Sequence, residues 1–215
     1  MDTRYKRANF AFGPHSLAVE HFADPEREFS AHFMGEEEAA HPEPPFYGFL
    51  WPAAEALAIH LWERHQLGQL PQQILELGCG LGLPSLVCAL AGSRITALDH
   101  HPEAGPLLAK NFVLNALDPP QHAVGSFTDE KLDLGLFPML IGSDILYDPV
   151  QHKPLKAFVT RHLLPRGHLL ITDPGRYPSE AFLSLMEADF TYEKLILKLP
   201  QREQSIDLHH FQARQ

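Results

Sequence analysis

Ile74-Leu75-Glu76-Leu77-Gly78-Cys79-Gly80-Leu81-Gly82 is a short apolar run followed by three glycines at alternate positions. The run predicts a buried parallel strand, and the glycines predict a tight exit that brings backbone close to a ligand. A second run, Arg94 to Leu98, leads to Asp99, roughly 20 residues beyond Gly78, the span of one β–α–β unit. A carboxylate there is placed to accept hydrogen bonds from both hydroxyls of a ribose. Gly78, Gly80, Gly82 and Asp99 are therefore expected to contact a nucleotide-like cofactor. Glu76, inside the strand, is expected near the other end of that ligand, meeting an amino group directly or through water. The plainer alternatives are glycines needed only for helix–strand packing and an Asp99 that caps a helix or is solvated.

The chain has 215 residues, enough for one sizeable core. Apolar residues make up 45% and charged residues 20%, which excludes a disordered chain. The net charge of -10 argues against binding a phosphate backbone, since the richest basic stretch is only Arg4-Tyr5-Lys6-Arg7. The 14 histidines are scattered without ligand spacing, so no metal site is expected. Cys79 and Cys88 suit a reducing compartment. With no signal-like or membrane-length apolar run, the expected location is the cytoplasm, away from membranes.

Around the opening motif, strands and helices alternate. Pro52 opens an alanine-rich helix to about His65, and Leu83 to Ala91 forms another, stopped by Gly92. A helix starting at Pro102 ends before Asp118-Pro119-Pro120, followed by a weak strand near Ala123 to Phe127. A stronger strand, Phe137 to Ile141, precedes a helix from Pro149 to about Leu164 and a strand from His168 to Thr172. After a helix near Ser179 to Ala188, Thr191 to Leu199 and Ile206 to Arg214 read as two strands too close for a crossover helix, hence an antiparallel hairpin. The expected fold is α/β: seven strands, mostly parallel, helices on both faces and a C-terminal antiparallel hairpin. Residues 1–45 are expected as an N-terminal extension, with two short strands (Ala8 to Phe12 and Ser16 to Phe22) and an acidic, proline-rich loop; residues 46–215 form the main domain.

Three segments carry a family resemblance: Phe46-Tyr47-Gly48-Phe49-Leu50-Trp51-Pro52-Ala53, the Ile74 to Gly82 run, and Ser143-Asp144-Ile145-Leu146-Tyr147-Asp148. Together they resemble the Rossmann-like, seven-strand S-adenosylmethionine-dependent methyltransferases, in the family of small protein-lysine methyltransferases. The closing hairpin fits that sheet better than the sheet of a dinucleotide dehydrogenase. Thr172-Asp173-Pro174-Gly175-Arg176 resembles the branch containing the electron-transfer flavoprotein β-subunit lysine methyltransferases. Some bacterial members of that branch are described as nicotinamide N-methyltransferases.

The resemblance implies S-adenosyl-L-methionine as cofactor, enclosed by Trp51, and a protein lysine as acceptor. It assigns Asp144 and Tyr147, matching the family's Asp-x-x-Tyr pattern, to the reacting face. Starting from a lysine pKa of about 10.4, deprotonation at neutral pH costs roughly 4 to 5 kcal/mol. Asp144 is therefore read as orienting the amine, with proton loss to water, and Tyr147 as shaping the mouth. Their plainer roles are a loop hydrogen bond and aromatic packing. Phe46 and Tyr47 are expected at the entrance, and Asp129 as a substitute for the family's adenine-reading acid. Arg176 is expected to pair with Asp173 or to hold a substrate carboxylate. The alternatives are methylation of nicotinamide or a similar small nucleophile, nicotinamide-dependent oxidoreduction, and a non-catalytic interaction module.

Overall fold

The computed structural model describes residues 4–34, 43–176, 179–199 and 202–214. The chain opens with β1 (Tyr5–Phe12) and β2 (His15–Phe22), an antiparallel hairpin turning at Gly13, and then α1 (Pro25–Met34), whose first turn is capped by the Asp24 carboxylate on the Arg27 N–H. α1 buries none of its residues, so it leaves no core stripe for a sequence reading to detect. The expected acidic loop falls mostly outside the described residues.

A 3₁₀ turn, Phe46–Gly48, leads into α2 (Pro52–Gln66), with Pro52 in the first turn where its missing N–H is not needed. Then follow β3 (Gln73–Leu77), α3 (Leu83–Leu90), β4 (Arg94–Asp99), α4 (Ala104–Leu114), β5 (Gln121–Val124), β6 (Phe137–Ser143), α5 (His152–His162), β7 (Leu163–Asp173), α6 (Ser179–Met186), β8 (Phe190–Lys198) and β9 (Ser205–Ala213).

The main sheet has seven strands in the order β5-β4-β3-β6-β7-β9-β8. All neighbours are parallel as far as β7; β9 then pairs antiparallel with both β7 and β8. The expected fold class is thus present, including the closing hairpin. Side chains alternate between two cores. Ile74, Ile141 and Leu170 face a cluster with Leu57 and Leu61 of α2, Leu86 of α3 and Phe112 of α4. Leu75, Leu77, Leu140 and Ile171 face the other, with Phe158 of α5 and Phe182 of α6. The strand period of two produces this division. No helix among the described residues is long and apolar enough to cross a membrane.

Several boundaries differ from expectation, three of them near the site or in the sheet. β5 ends at Val124, leaving Gly125, Ser126 and Phe127 in a loop. β7 begins at Leu163 because a register irregularity carries the chain past Gly167, with Arg166 at φ +60°. Pro149 starts a separate 3₁₀ turn before α5.

The hairpin is tied to the sheet domain by amides. Asn111 accepts from the Glu20 N–H at 2.7 Å and donates to the carbonyls of Glu20 at 3.2 Å and Leu81 at 3.1 Å. Asn115 makes a similar reciprocal pair with Ala18. Phe12, Leu17, Val19 and Phe22 join the core beside α2 and α4.

The chain runs outward from β3 through β4 to β5, then returns to β6 on the other side of β3. That reversal opens a crevice at the carboxyl ends of β3 and β6, the usual ligand position in an open parallel sheet.

Candidate active site

The loop after β3 sets the floor of the crevice. Gly78, Gly80 and Gly82 have φ of +63°, +47° and +74°, a region that side chains strongly disfavour. A Cβ on Gly80 would press on the Tyr47 carbonyl oxygen at 3.1 Å, and one on Gly82 would collide with Leu108. The glycines thus serve backbone conformation and close packing, and all three line the crevice.

Asp99 ends β4 and is almost fully buried. Its Oδ2 accepts from the Gly80 N–H at 2.9 Å and its Oδ1 from the His101 N–H at 2.9 Å. The carboxylate lies on the crevice wall and retains lone pairs for a further donor. His100 stands beside it, with Nε2 2.7 Å from Glu43.

The crevice encloses a cavity of about 910 Å³, within the range of small-molecule sites. On one side are the glycine loop, Leu98 and Asp99, and on the other Ser143, Asp144, Tyr147 and Arg176. Trp51 lies on the wall, its indole N–H donating to the Phe46 carbonyl at 3.1 Å and its ring stacked on Phe49. Phe46 presents ring edges to both Trp51 and Tyr147.

Asp144 follows β6 with φ +54°, a conformation uncommon for a residue with a side chain. Its N–H donates to the Thr172 carbonyl at 2.8 Å, which fixes the turn. Both carboxylate oxygens accept from one guanidinium: Oδ1 from Arg176 Nε at 2.8 Å and Oδ2 from Nη2 at 2.9 Å. This differs from the expected Arg176 pairing. Among the described residues, Asp173 accepts hydrogen bonds only from the backbone N–H groups of Gly175 and Arg176, at 2.8 and 2.7 Å, and so shapes the loop that sends the guanidinium across to Asp144. Tyr147 is nearly half exposed, and its phenol is pushed up to about 12, first by desolvation and then by Glu43, Asp148, Asp99 and Asp144. It is therefore a neutral hydroxyl at physiological pH.

Glu76 lies off the cavity wall. It is fully buried, on the sheet face covered by α3, where it accepts from the Ser85 hydroxyl. Burial raises its carboxyl to about 8. The strand period explains the placement, because Glu76 shares a face with Ile74, toward the helices. Asp129 is also off the wall, exposed and turned to the Lys131 N–H at 2.9 Å; Gly125, Ser126 and Phe127 line the cavity in its place.

The sequence reading missed Glu43, Asp148 and Gln151 on the wall. Glu43 stands in a stretch with no periodicity, while Asp148 and Gln151 carry only the ordinary signal of a residue before a helix. Arg176 is the one Arg or Lys on the cavity wall among the described residues, facing Glu43, Asp99, Asp144 and Asp148. No metal-ligand cluster occurs among the described residues.

The architecture is that of the Rossmann-like methyltransferases: N-methyltransferase NodS from Bradyrhizobium japonicum WM9, solved with S-adenosyl-L-homocysteine, superimposes with a TM-score of 0.64 at 18% identity, covering 89% of this chain and 97% of that one. Residues 46–189 match the family model described as lysine methyltransferase, and the chain belongs to that family. Among its relatives, the mouse electron transfer flavoprotein beta subunit lysine methyltransferase is 28% identical over 134 residues, 61% of this chain and 51% of the relative. Rat histone-arginine methyltransferase METTL23 is 26% identical over 176 residues, 78% of this chain and 73% of the relative. The chain spans about half the length of the flavoprotein-directed lysine methyltransferases it matches.

Proposed function

We propose that this chain transfers a methyl group from S-adenosyl-L-methionine to the side-chain nitrogen of a lysine in a protein. The observation that carries the reading is one cavity joining the glycine loop and Asp99 to Asp144 and Tyr147, in a member of the lysine methyltransferase family. The residues present fit the cofactor. Asp99 offers lone pairs to ribose hydroxyls, Ser126 and Phe127 beside Leu98 offer a polar and apolar slot for adenine, and Trp51 closes the channel. Glu76 ties β3 to the first turn of α3 through Ser85, in place of the direct or water-mediated ligand contact expected from the sequence. The cofactor supplies an electrophilic methyl carbon when bound.

The protein's own contribution is alignment and exclusion of water. An acceptor lone pair must point in line at the methyl carbon, and holding that geometry removes a large part of the barrier. Asp144 holds an N–H of the amine, Tyr147 borders the channel as a neutral hydroxyl, and Trp51 and Phe46 keep it apolar. Glu43, Asp99 and Asp148 favour a cationic side chain over a phosphate backbone. Within this reading, residues 46–215 form the methyltransferase domain and residues 1–45 an extension whose hairpin braces it. Cys79 and Cys88, buried and unpaired, are in keeping with a cytoplasmic setting.

Incubation with methyl-labelled cofactor and soluble cell protein tests the assignment. Label recovered on lysine from one or a few protein bands is the expected result. Label confined to a low-mass fraction would transfer the assignment to a small nucleophile such as nicotinamide. Calorimetric binding of NAD with no response to S-adenosylhomocysteine would point to an oxidoreductase; binding of neither, with capture of a specific protein, would point to an interaction module.

A further inference from the structure

We propose that Arg176 is a positioning residue that neutralises Asp144, so that Asp144 serves the acceptor as a hydrogen-bond acceptor and not as a counter-ion. The inference rests on the lysine reading above and deepens it.

The problem is one of charge. A bare carboxylate beside a lysine stabilises the ammonium, which has no lone pair to react. At hydrogen-bonding range that attraction is stronger in a closed cavity than in water. It would oppose the deprotonation that methyl transfer requires. The wall already holds Glu43, Asp99 and Asp148 with Asp144, against His100 and the neutral Tyr147 phenol. An acceptor drawn in by these groups would be held as an ammonium.

The geometry supplies the opposing charge at one place. The Arg176 guanidinium meets both oxygens of Asp144 in a two-point contact, at 2.8 and 2.9 Å. Such paired contacts fix orientation as well as charge. Asp144 is held from three sides: by its strained φ, by its N–H on Thr172, and by the guanidinium. Arg176 is itself directed by Asp173, which is fully buried and accepts the two N–H groups of its loop. Each Asp144 oxygen keeps a second lone pair. That lone pair can take an N–H from a neutral amine without presenting a net negative charge. The ammonium proton leaves to water before transfer, and the amine that remains is held by Asp144 with its own lone pair free.

The test compares the parent chain with Arg176→Gln, Arg176→Lys, Asp144→Asn, and the double variant Asp144→Asn with Arg176→Gln. The acceptor is the protein band that the parent labels, purified and shown by hydrolysis to carry label on lysine. Single-turnover rates at saturating cofactor are followed from pH 6 to 10. In Arg176→Gln the acidic limb of the rate profile should move up by about one unit, lowering the rate about 10-fold at pH 7. The rate should recover toward the parent's at high pH, with KM for the acceptor unchanged or lower. Arg176→Lys should restore part of the shift. With Asp144→Asn already present, Arg176→Gln should move the limb no further. A uniform loss at every pH with an unmoved limb would overturn the inference, as would an unchanged Arg176→Gln. Should the parent label no lysine, the functional reading itself falls, and that result is distinguishable because it precedes any variant.

Discussion

The backbone N–H of Gly80 donates to Oδ2 of Asp99 at 2.9 Å, so the loop after β3 and the carboxyl end of β4 are one unit. Asp99 therefore has two functions in the proposed site: it holds the glycine loop and it faces the cavity where ribose hydroxyls are placed. Asp99→Ala removes both. We expect S-adenosylhomocysteine to bind about 10- to 100-fold more weakly, the worth of one or two hydrogen bonds to a charged group. Calorimetric titration measures this directly. An unchanged dissociation constant would take Asp99 out of the cofactor site.

Asp144 should show the opposite bias. Its carboxylate lies on the far wall, with both oxygens paired with Arg176. Asp144→Ala is expected to reduce single-turnover methyl transfer roughly 100-fold, the effect of a misplaced acceptor. Cofactor affinity should change by less than about threefold. Transfer at the parent rate would remove Asp144 from the reacting group.

These two contrasts were visible in the sequence to different degrees. Strand β3 and the glycines could be read because a positive-φ exit from a buried strand admits little else, and the closing hairpin because the gap between β8 and β9 is too short for a helix. The Arg176–Asp144 pair was not readable: the partners are 32 residues apart, and Asp173 lies closer in sequence to Arg176. Only the turn at Asp173, by taking the backbone N–H groups, sends the guanidinium elsewhere. Glu76 shows the reverse difficulty. Its place in the motif suggested ligand contact, whereas strand alternation turns it toward α3. Helix α1 was missed because it buries nothing.

Asn111 links the N-terminal hairpin to the glycine loop, since the same fully buried amide bonds Glu20 and Leu81. Asn111→Ala leaves the Glu20 N–H and the Glu20 and Leu81 carbonyls short of these partners. A loss of about 2 to 3 kcal/mol is expected. For a chain of this size that lowers Tm by about 5 to 10 °C. In the proposed site, part of the loss should also register as weaker S-adenosylhomocysteine binding, because Leu81 lies in the glycine loop on the cavity wall. A thermal melt and a titration on the same preparation separate the two effects. A stable variant with a weakened cofactor site would place the amide's main effect on the loop.

Glu76 makes stability depend on pH in an unusual direction. Burial raises its carboxyl from an ordinary value near 4.5 to about 8 in the folded protein. Between those values the folded state holds a proton that the unfolded state has released. Stability contributed by this group is thus fully present below about 4.5 and is lost as pH rises through about 8. The slope approaches about 1.4 kcal/mol per pH unit within that window. Glu76→Gln removes the titration while keeping a polar group near the Ser85 hydroxyl. Thermal melts from pH 5 to 9 should show the parent losing Tm with rising pH more steeply than the variant, with the variant the more stable of the two at pH 9. Parallel curves would mean that the carboxyl does not titrate in this range.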